Sequence, residues 1–134
     1  MNLCEIINEE IGDIINITKL ALSLRKEDRP SLKNHILADV DINKADKAFS
    51  NDTGFYIGKD DKGMYNRREK VRNYIQRGVL QDAPIVHIKF GSSGELILSF
   101  TDGRHRFAEL RDLGATRINL CFTPESKNYI SLLK

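Results

Sequence analysis

The fold is decided by one stretch of the chain, Ser99-Phe100-Thr101-Asp102-Gly103-Arg104-His105-Arg106-Phe107-Ala108-Glu109-Leu110-Arg111-Asp112-Leu113-Gly114. It begins where the alternating apolar residues of 95–100 predict a strand. Asp102-Gly103 predicts a turn directly after that strand. The apolar residues that then recur at helical spacing are Phe107, Leu110 and Leu113. The stretch therefore predicts a strand, a tight turn and a helix with one buried face.

The residues that follow extend this unit to a second strand. Gly114 stands where a helix commonly ends in a left-handed cap, and the apolar residues of 116–122 predict the strand. Since strands joined through a helix are usually parallel, we expect a strand–turn–helix–strand unit with parallel strands and a right-handed crossover. Upstream, 85–90 predicts a further strand, and the turn residues of 91–94 predict a hairpin into the strand at 95–100.

The turn itself is the candidate binding site. A helix that starts directly after a strand exposes unpaired N–H groups and the positive end of its dipole. Gly103 allows a ligand to approach the backbone closely, and Arg104, His105 and Arg106 add cationic donors at the same end. Because this positive charge opposes the dipole, a bound anion, best a phosphate, would resolve the conflict. The carboxylates that could instead pair with the two arginines on a solvated face are Asp102, Glu109 and Asp112.

Size and composition restrict the class of protein. The 134 residues predict one domain over 1–134, with 1–30 as an N-terminal helical extension. A hydrophobic share of 40% and a charged share of 30% are typical of a globular protein and argue against a disordered tail or a fibre. The net charge of +2 is too small to indicate nucleic-acid binding through bulk charge, so an anion site must be local. Cys4 and Cys121 fit no metal-ligand spacing and suggest reduced thiols, and we expect a cytoplasmic protein without a signal peptide or membrane span.

Both ends of the chain predict helices. The apolar stripe of a helix over 3–24 consists of Leu3, Ile6, Ile7, Ile11, Ile14 and Ile15. That stripe packs on the domain or forms a dimer seam, so the oligomeric state is left open. Thr123-Pro124-Glu125 predicts the start of a last helix, with the Thr123 hydroxyl as its cap. The residues expected on its inner face are Tyr129, Ile130 and Leu133.

A pair of carboxylates lies on another predicted strand. The alternation of 36–42 places Asp39 and Asp41 on the same face of that strand, ahead of a short helix over 43–49. Two such carboxylates could hold Mg²⁺ or act as a general base. The alternative is that they form the wet face of an edge strand.

A markedly basic helix is predicted between Asn66, a good N-cap, and Arg77. Its buried side is expected to consist of Val71, Tyr74 and Ile75. The residues expected to contact a nucleic-acid backbone, if this helix borders the turn, are Arg67, Arg68 and Arg72. The alternative is a basic face that only meets water.

The order of these elements resembles the ParB N-terminal/sulfiredoxin-like superfamily over roughly residues 65–122. The segments that carry the resemblance are Tyr74-Ile75-Gln76-Arg77-Gly78, Ala83-Pro84-Ile85-Val86, Asp102-Gly103-Arg104-His105-Arg106, Leu113-Gly114 and Arg117-Ile118-Asn119-Leu120. The Gly-x-His-Arg turn is the specific signature among them. The resemblance implies that this turn binds a nucleoside triphosphate, since ParB proteins bind CTP there and sulfiredoxins and free-serine kinases bind ATP.

The sequence also departs from each branch of that superfamily. Arg104 occupies the position of the catalytic cysteine of sulfiredoxins, so reductase chemistry is not expected. The chain ends soon after Phe122, so the downstream helix-turn-helix module of ParB proteins is not expected either. The Asp-Gly-His-His-Arg turn of the serine kinases is close to this one, and these enzymes use an upstream carboxylate as base. The candidates for that carboxylate are Glu27, Asp39 and Asp41.

These observations lead to one fold class and three functions. We expect an α+β protein with a small mixed sheet, a ParB/sulfiredoxin-like strand–turn–helix–strand unit and flanking N- and C-terminal helices. The first function is the binding of ATP or CTP, with Mg²⁺, by an NTPase or phosphotransferase. Its phosphate-binding residues would be Asp102, Gly103, Arg104, His105 and Arg106, and its catalytic residues Asp39, Asp41 and His105. The second function is nucleic-acid binding, or cleavage by a nuclease, in a protein of a phage or plasmid. The third is that of a non-catalytic regulator with a degenerate site.

Overall fold

A computed structural model of the chain describes residues 17–59, 61, 67–77 and 81–134. The strands of this part are β1 (Ile36–Asp41), β2 (Ile85–Phe90), β3 (Leu96–Asp102) and β4 (Arg117–Phe122). Its longer α-helices are α1 (Ile42–Ser50), α2 (Arg67–Gln76) and α3 (Arg104–Asp112). Two 3₁₀ helices span Pro30–Leu32 and Pro124–Leu133, and residues 17–21 are also helical.

The strands form one mixed sheet in the order β1-β4-β2-β3. β1 is antiparallel to β4, β4 is parallel to β2, and β2 is antiparallel to β3. The chain is therefore an α+β protein with a small mixed sheet, as predicted. In this register Asp102, at the end of β3, lies opposite Ile85, at the start of β2.

The predicted parallel pairing of the strands around α3 is wrong. β3 and β4 run in opposite directions, and β2 lies between them. The hairpin turn at 91–94, in which Gly94 has a φ of 79°, folds β3 back along β2 and so fixes β3 at one edge of the sheet. Helix α3 then carries the chain past β2, and β4 pairs with the edge of β2 that faces away from β3. The parallel pair of the sheet is β2 with β4.

An aromatic cluster fills the space between the sheet and the helices. Phe49 of α1 contacts Phe100 of β3 and Phe107 of α3, with ring centroids 4.5 and 5.8 Å apart. Phe49 and Phe107 are fully buried, and the ring of Tyr56 packs edge-on against Phe49. Since aromatic pairs in this geometry add to the free energy of burial, the cluster fixes the position of α3 against β3.

Several sequence predictions agree with the described elements. Gly114 has a φ of 99°, which confirms the left-handed cap after α3. The predicted helix over 43–49 corresponds to α1, and β1 is an edge strand. The predicted helix over 3–24 lies mostly outside the described residues, and its described part ends at residue 21. Cys121 is a buried free thiol, whereas Cys4 lies outside the described residues.

The predicted burial of Tyr74 and Tyr129 and the predicted capping role of the Thr123 hydroxyl are wrong. Tyr74 is 42% exposed and Tyr129 is 40% exposed, so neither lies on the inner face of its helix, whereas Ile130 and Leu133 are buried as predicted. Thr123 starts the last 3₁₀ helix, but its hydroxyl does not cap it. That hydroxyl lies 2.6 Å from His87 Nδ1 and 2.8 Å from Ser126 Oγ. The helix start is thus tied to β2 through side chains.

A buried ion-pair network joins α2 to α3. Glu109 of α3 is 1% exposed and accepts hydrogen bonds from Arg68 Nε at 2.7 Å and Arg72 Nε at 2.8 Å. Arg68 also donates to Asp112 at 2.8 Å, and Arg111 binds the other oxygen of Asp112 at 2.9 Å. Because a buried charge without its partner is strongly destabilising, this network fixes α2 on α3.

We expect Glu109→Gln to destabilise the protein by about 3 kcal/mol, because the change leaves Arg68 buried with less compensating charge. The free energy of unfolding in urea measures this. Glu69→Gln is the matched control, since Glu69 is an exposed carboxylate on α2, and its effect should stay within about 0.5 kcal/mol. Equal stabilities of the two variants would contradict the structural role of the network.

Candidate functional site

A pocket of about 230 Å³ lies where β3 ends and α3 begins. The residues that line it are Phe55, Arg67, Phe100, Thr101, Asp102, Gly103, Arg104 and His105. Four of the five residues predicted to bind phosphate, Asp102 to His105, therefore line one cavity. Arg67, predicted to contact nucleic acid, lies at the same cavity.

Gly103 gives the pocket its backbone geometry. Its φ of 84° is left-handed, and a Cβ added to it would lie 2.8 Å from Pro84 Cα and 2.9 Å from Arg106 Nη1. Only glycine fits such a position without strain. No side chain caps the helix, and its first turn carries no acidic residue. The start of α3 thus lacks the two features with which proteins usually neutralise a helix N-terminus.

Arg104 forms one wall of the pocket together with Phe55. Its Nη1 donates to the carbonyl oxygen of Phe55 at 2.7 Å, and its Cζ lies 5.5 Å from the centroid of the Phe55 ring. Phe55 is 59% exposed, the most exposed large apolar side chain among the described residues. The Arg104 guanidinium is therefore held in place at the pocket. Within the described part of the chain, its charge pairs with no carboxylate.

Arg106 points to a different part of the fold. Its Nε donates to Gln81 Oε1 and its Nη1 to the carbonyl oxygen of Asp82, both at 2.8 Å. These bonds attach the start of α3 to the segment that leads into β2. The structure thus gives Arg106 a supporting position outside the pocket lining, where the sequence predicted a phosphate contact. The carboxylates Asp102, Glu109 and Asp112 bind neither Arg104 nor Arg106 in the described structure.

His105 lines the pocket as a neutral imidazole. Burial and, after it, the nearby charges of Arg104, Arg67 and Arg68 together lower the pKa of His105 to about 4, against an opposing effect of Asp61. At neutral pH the ring can therefore donate or accept a hydrogen bond, but it carries no charge and is a weak general base. Arg67 and Arg104 provide the positive side-chain charge of the pocket, and Asp102 provides a negative one.

The predicted nucleic-acid-binding trio is divided by the structure. Arg67 is exposed at the pocket, whereas the side chain of Arg68 is only 10% exposed and is bound to Glu109 and Asp112. Arg72 is half exposed and pairs with Glu109. The prediction that Arg68 lies on a solvated basic face is wrong, because its partner carboxylates come from α3, which is distant in sequence.

The two carboxylates predicted as catalytic lie far from the turn. Asp39 and Asp41 are on β1, the edge strand opposite to β3, with β4 and β2 in between. Asp39 binds Arg117 Nε at 2.9 Å, which lowers the pKa of Asp39. Asp41 accepts from the backbone N–H groups of Asn43 and Lys44 and so caps α1. Both have structural partners, and the structure brings neither to the pocket.

Sequence analysis did not select Phe55, Phe100 or Thr101 as site residues, and of these three Phe55 also lies outside the stretch that decides the fold. Phe55 lies in a short apolar run after a turn cluster and is 49 residues away from Arg104, so nothing in the sequence pairs them.

Among the described residues, no group of three or more His, Cys, Asp or Glu side chains could hold a metal ion. In the same part of the chain, no helix has the length and apolar character needed to cross a bilayer.

The chain matches no protein-family model, no curated protein and no solved structure. The resemblance of the turn to the ParB/sulfiredoxin-like superfamily therefore stays a prediction.

The pKa of His105 predicts how stability depends on pH. In the unfolded chain the imidazole has its ordinary pKa of 6.5, and in the folded protein its pKa is about 4. Between these values the unfolded state binds more protons, so stability falls as the pH is lowered through this range. We expect His105→Gln to remove part of this loss.

Thermal unfolding midpoints measured from pH 7 down to about pH 4.5 test this dependence. Relative to its own value at pH 7, the variant should lose less stability than the wild type. Parallel curves for the two proteins would show that His105 is not held neutral by its surroundings.

Proposed function

We propose that the protein binds a nucleotide through its phosphates at the start of α3. The observation that carries the proposal is the pocket itself: an uncapped helix N-terminus, a left-handed glycine and two arginines that pair with no carboxylate among the described residues meet in one cavity. The N–H groups of a first helical turn and a pair of guanidinium groups are the donors that phosphate oxygens prefer. The resemblance of Asp102-Gly103-Arg104-His105-Arg106 to the nucleotide-binding turn of the ParB/sulfiredoxin-like superfamily supports the same ligand.

The pocket is large enough for only part of a nucleotide. At about 230 Å³ it is smaller than the roughly 300–1,000 Å³ of cavities that enclose whole small molecules. We therefore assign the phosphates to the pocket and the nucleoside to its open side, where the Phe55 ring is exposed. Arg104 connects the two parts, since its guanidinium contacts the Phe55 ring and lines the pocket.

Asp102 fits a ligand that carries Mg²⁺. A carboxylate beside bound phosphates repels them unless a cation lies between, and Mg²⁺ in proteins commonly uses one or two carboxylates together with phosphate oxygens. Asp102, the one carboxylate among the described residues that line the pocket, suits that arrangement. The cation would neutralise phosphate charge. We assign no catalytic step to the pocket, because Asp39 and Asp41 are remote and His105 is a weak base.

Neutralising the two pocket arginines should weaken binding. Each charge-assisted hydrogen bond contributes about 1.5–3 kcal/mol, so we expect Arg67→Gln/Arg104→Gln to lower nucleotide affinity by at least about tenfold. Thermal shift and calorimetric titration with ATP, CTP, GTP and inorganic triphosphate, each with and without Mg²⁺, measure this.

The matched control is Lys89→Gln, an exposed cation near the opposite end of β2 from the pocket. It should bind like the wild type. The unliganded melting temperature of each variant shows whether folding is preserved. If no nucleotide or triphosphate stabilises the wild type, or if the double variant keeps the full effect, the proposal is wrong.

Asp102→Asn separates the role of the metal from that of the arginines. Without Mg²⁺ the variant should bind triphosphate more tightly than the wild type, because a repelling charge is gone. With Mg²⁺ it should bind more weakly, because a ligand of the cation is gone. Calorimetry under both conditions checks the reversal, and a change of the same sign in both would exclude Asp102 as a metal ligand.

A further inference from the structure

Beyond Arg67, α2 carries further exposed side chains that the nucleotide proposal does not use. Its inner face, with Arg68, Val71 and Ile75, is buried against the fold. At 100° per residue, the exposed residues Arg67, Lys70, Tyr74 and Arg77, the last of which directly follows the end of α2, fall within an arc of about 80°. We call these four residues the α2 stripe. The exposed carboxylate of α2, Glu69, lies outside this arc.

The α2 stripe combines positive charge with an exposed aromatic ring. Arg77 Cζ lies 5.3 Å from the centroid of the Tyr74 ring, and Tyr74 is 42% exposed although its helix has a buried side for apolar residues. The stripe starts at the pocket, because Arg67 also lines that cavity. There it meets a second pair of the same kind, Phe55 with Arg104.

From this arrangement we propose that the outer face of α2 binds single-stranded nucleic acid. Three cations in line match a phosphate backbone, and exposed rings at both ends match unstacked bases, which a duplex does not offer. From Arg67 to Arg77 the helix rises about 15 Å, enough for a few nucleotides. The small net charge of +2 does not oppose this, since the α2 stripe brings three cations together locally. DNA and RNA share this chemistry.

The test uses the whole chain and fluorescence anisotropy with oligothymidylate and oligouridylate of about ten nucleotides, and with a duplex of the same length. Tyr74→Ala should weaken single-strand binding by about tenfold without changing its salt dependence, because it removes stacking and no charge. Lys70→Gln/Arg77→Gln should reduce the slope of log K against log salt by about 1.4, since each phosphate that the protein neutralises on a single strand adds about 0.7 to that slope.

The control with the same change in charge is Lys44→Gln/Lys47→Gln, which removes two exposed lysines from α1. It should leave affinity and slope unchanged. The preferred oligonucleotide identifies DNA or RNA as the source. The proposal is overturned if neither single strand binds at about 50 mM salt, if the duplex binds equally well and Tyr74→Ala has no effect, or if the control variant loses as much as the stripe variant.

The same variants distinguish this proposal from nucleotide binding. Lys70, Tyr74 and Arg77 do not line the pocket, so thermal stabilisation by triphosphate should be unchanged in their variants. Loss of single-strand binding with retained triphosphate binding supports the α2 stripe as a separate surface. Loss of both together would show that the substitutions damage the pocket and would contradict the assignment.

Discussion

The carboxylate of Glu109 is the constraint on which the arrangement of the candidate site depends. It lies almost completely buried on α3 and accepts hydrogen bonds from Arg68 and Arg72 of α2. Because a buried charge without its partner is strongly destabilising, Glu109 and Arg68 must both be in place, which fixes the position of α2 on α3. That position brings Arg67, at the start of α2, to the pocket at the start of α3. The network is thus remote from the ligand but determines which cations surround it.

The same constraint gives α2 two chemically different faces. The arginines that face α3 are neutralised by carboxylates, whereas the cations on the outer face are exposed to solvent. α3 shows a related division, since Arg106 supports the segment before β2 and Arg104 lines the pocket. Arginines that look equivalent in a basic sequence therefore divide into those that hold the fold and those available to a ligand.

The sequence predicts those features of the structure that depend on residues close together in the chain. Local patterns placed the strands and α3 correctly, because hydrophobic period and glycine caps act over a few residues, whereas β3 extends to Asp102 and leaves Gly103 alone between β3 and α3. The parallel pairing failed because strand order depends on which edge of β2 is already occupied by the hairpin. The sequence predicts an exposed Arg68 and a buried Tyr74, whereas the structure buries Arg68 and exposes Tyr74. The acidic partners that allow Arg68 to be buried belong to another helix. Phe55 was missed for the same reason: it meets Arg104 only in three dimensions.

The central claim is that phosphate oxygens are bound by the backbone and side chains at the start of α3. The most direct measurement is a titration of ¹⁵N-labelled protein with inorganic triphosphate, followed by amide chemical shifts. We predict that the largest shifts fall on Gly103, Arg104, His105 and Arg106, whose N–H groups lie at the N-cap and in the first turn of α3. Saturable shifts located elsewhere, with these four amides unmoved, would contradict it.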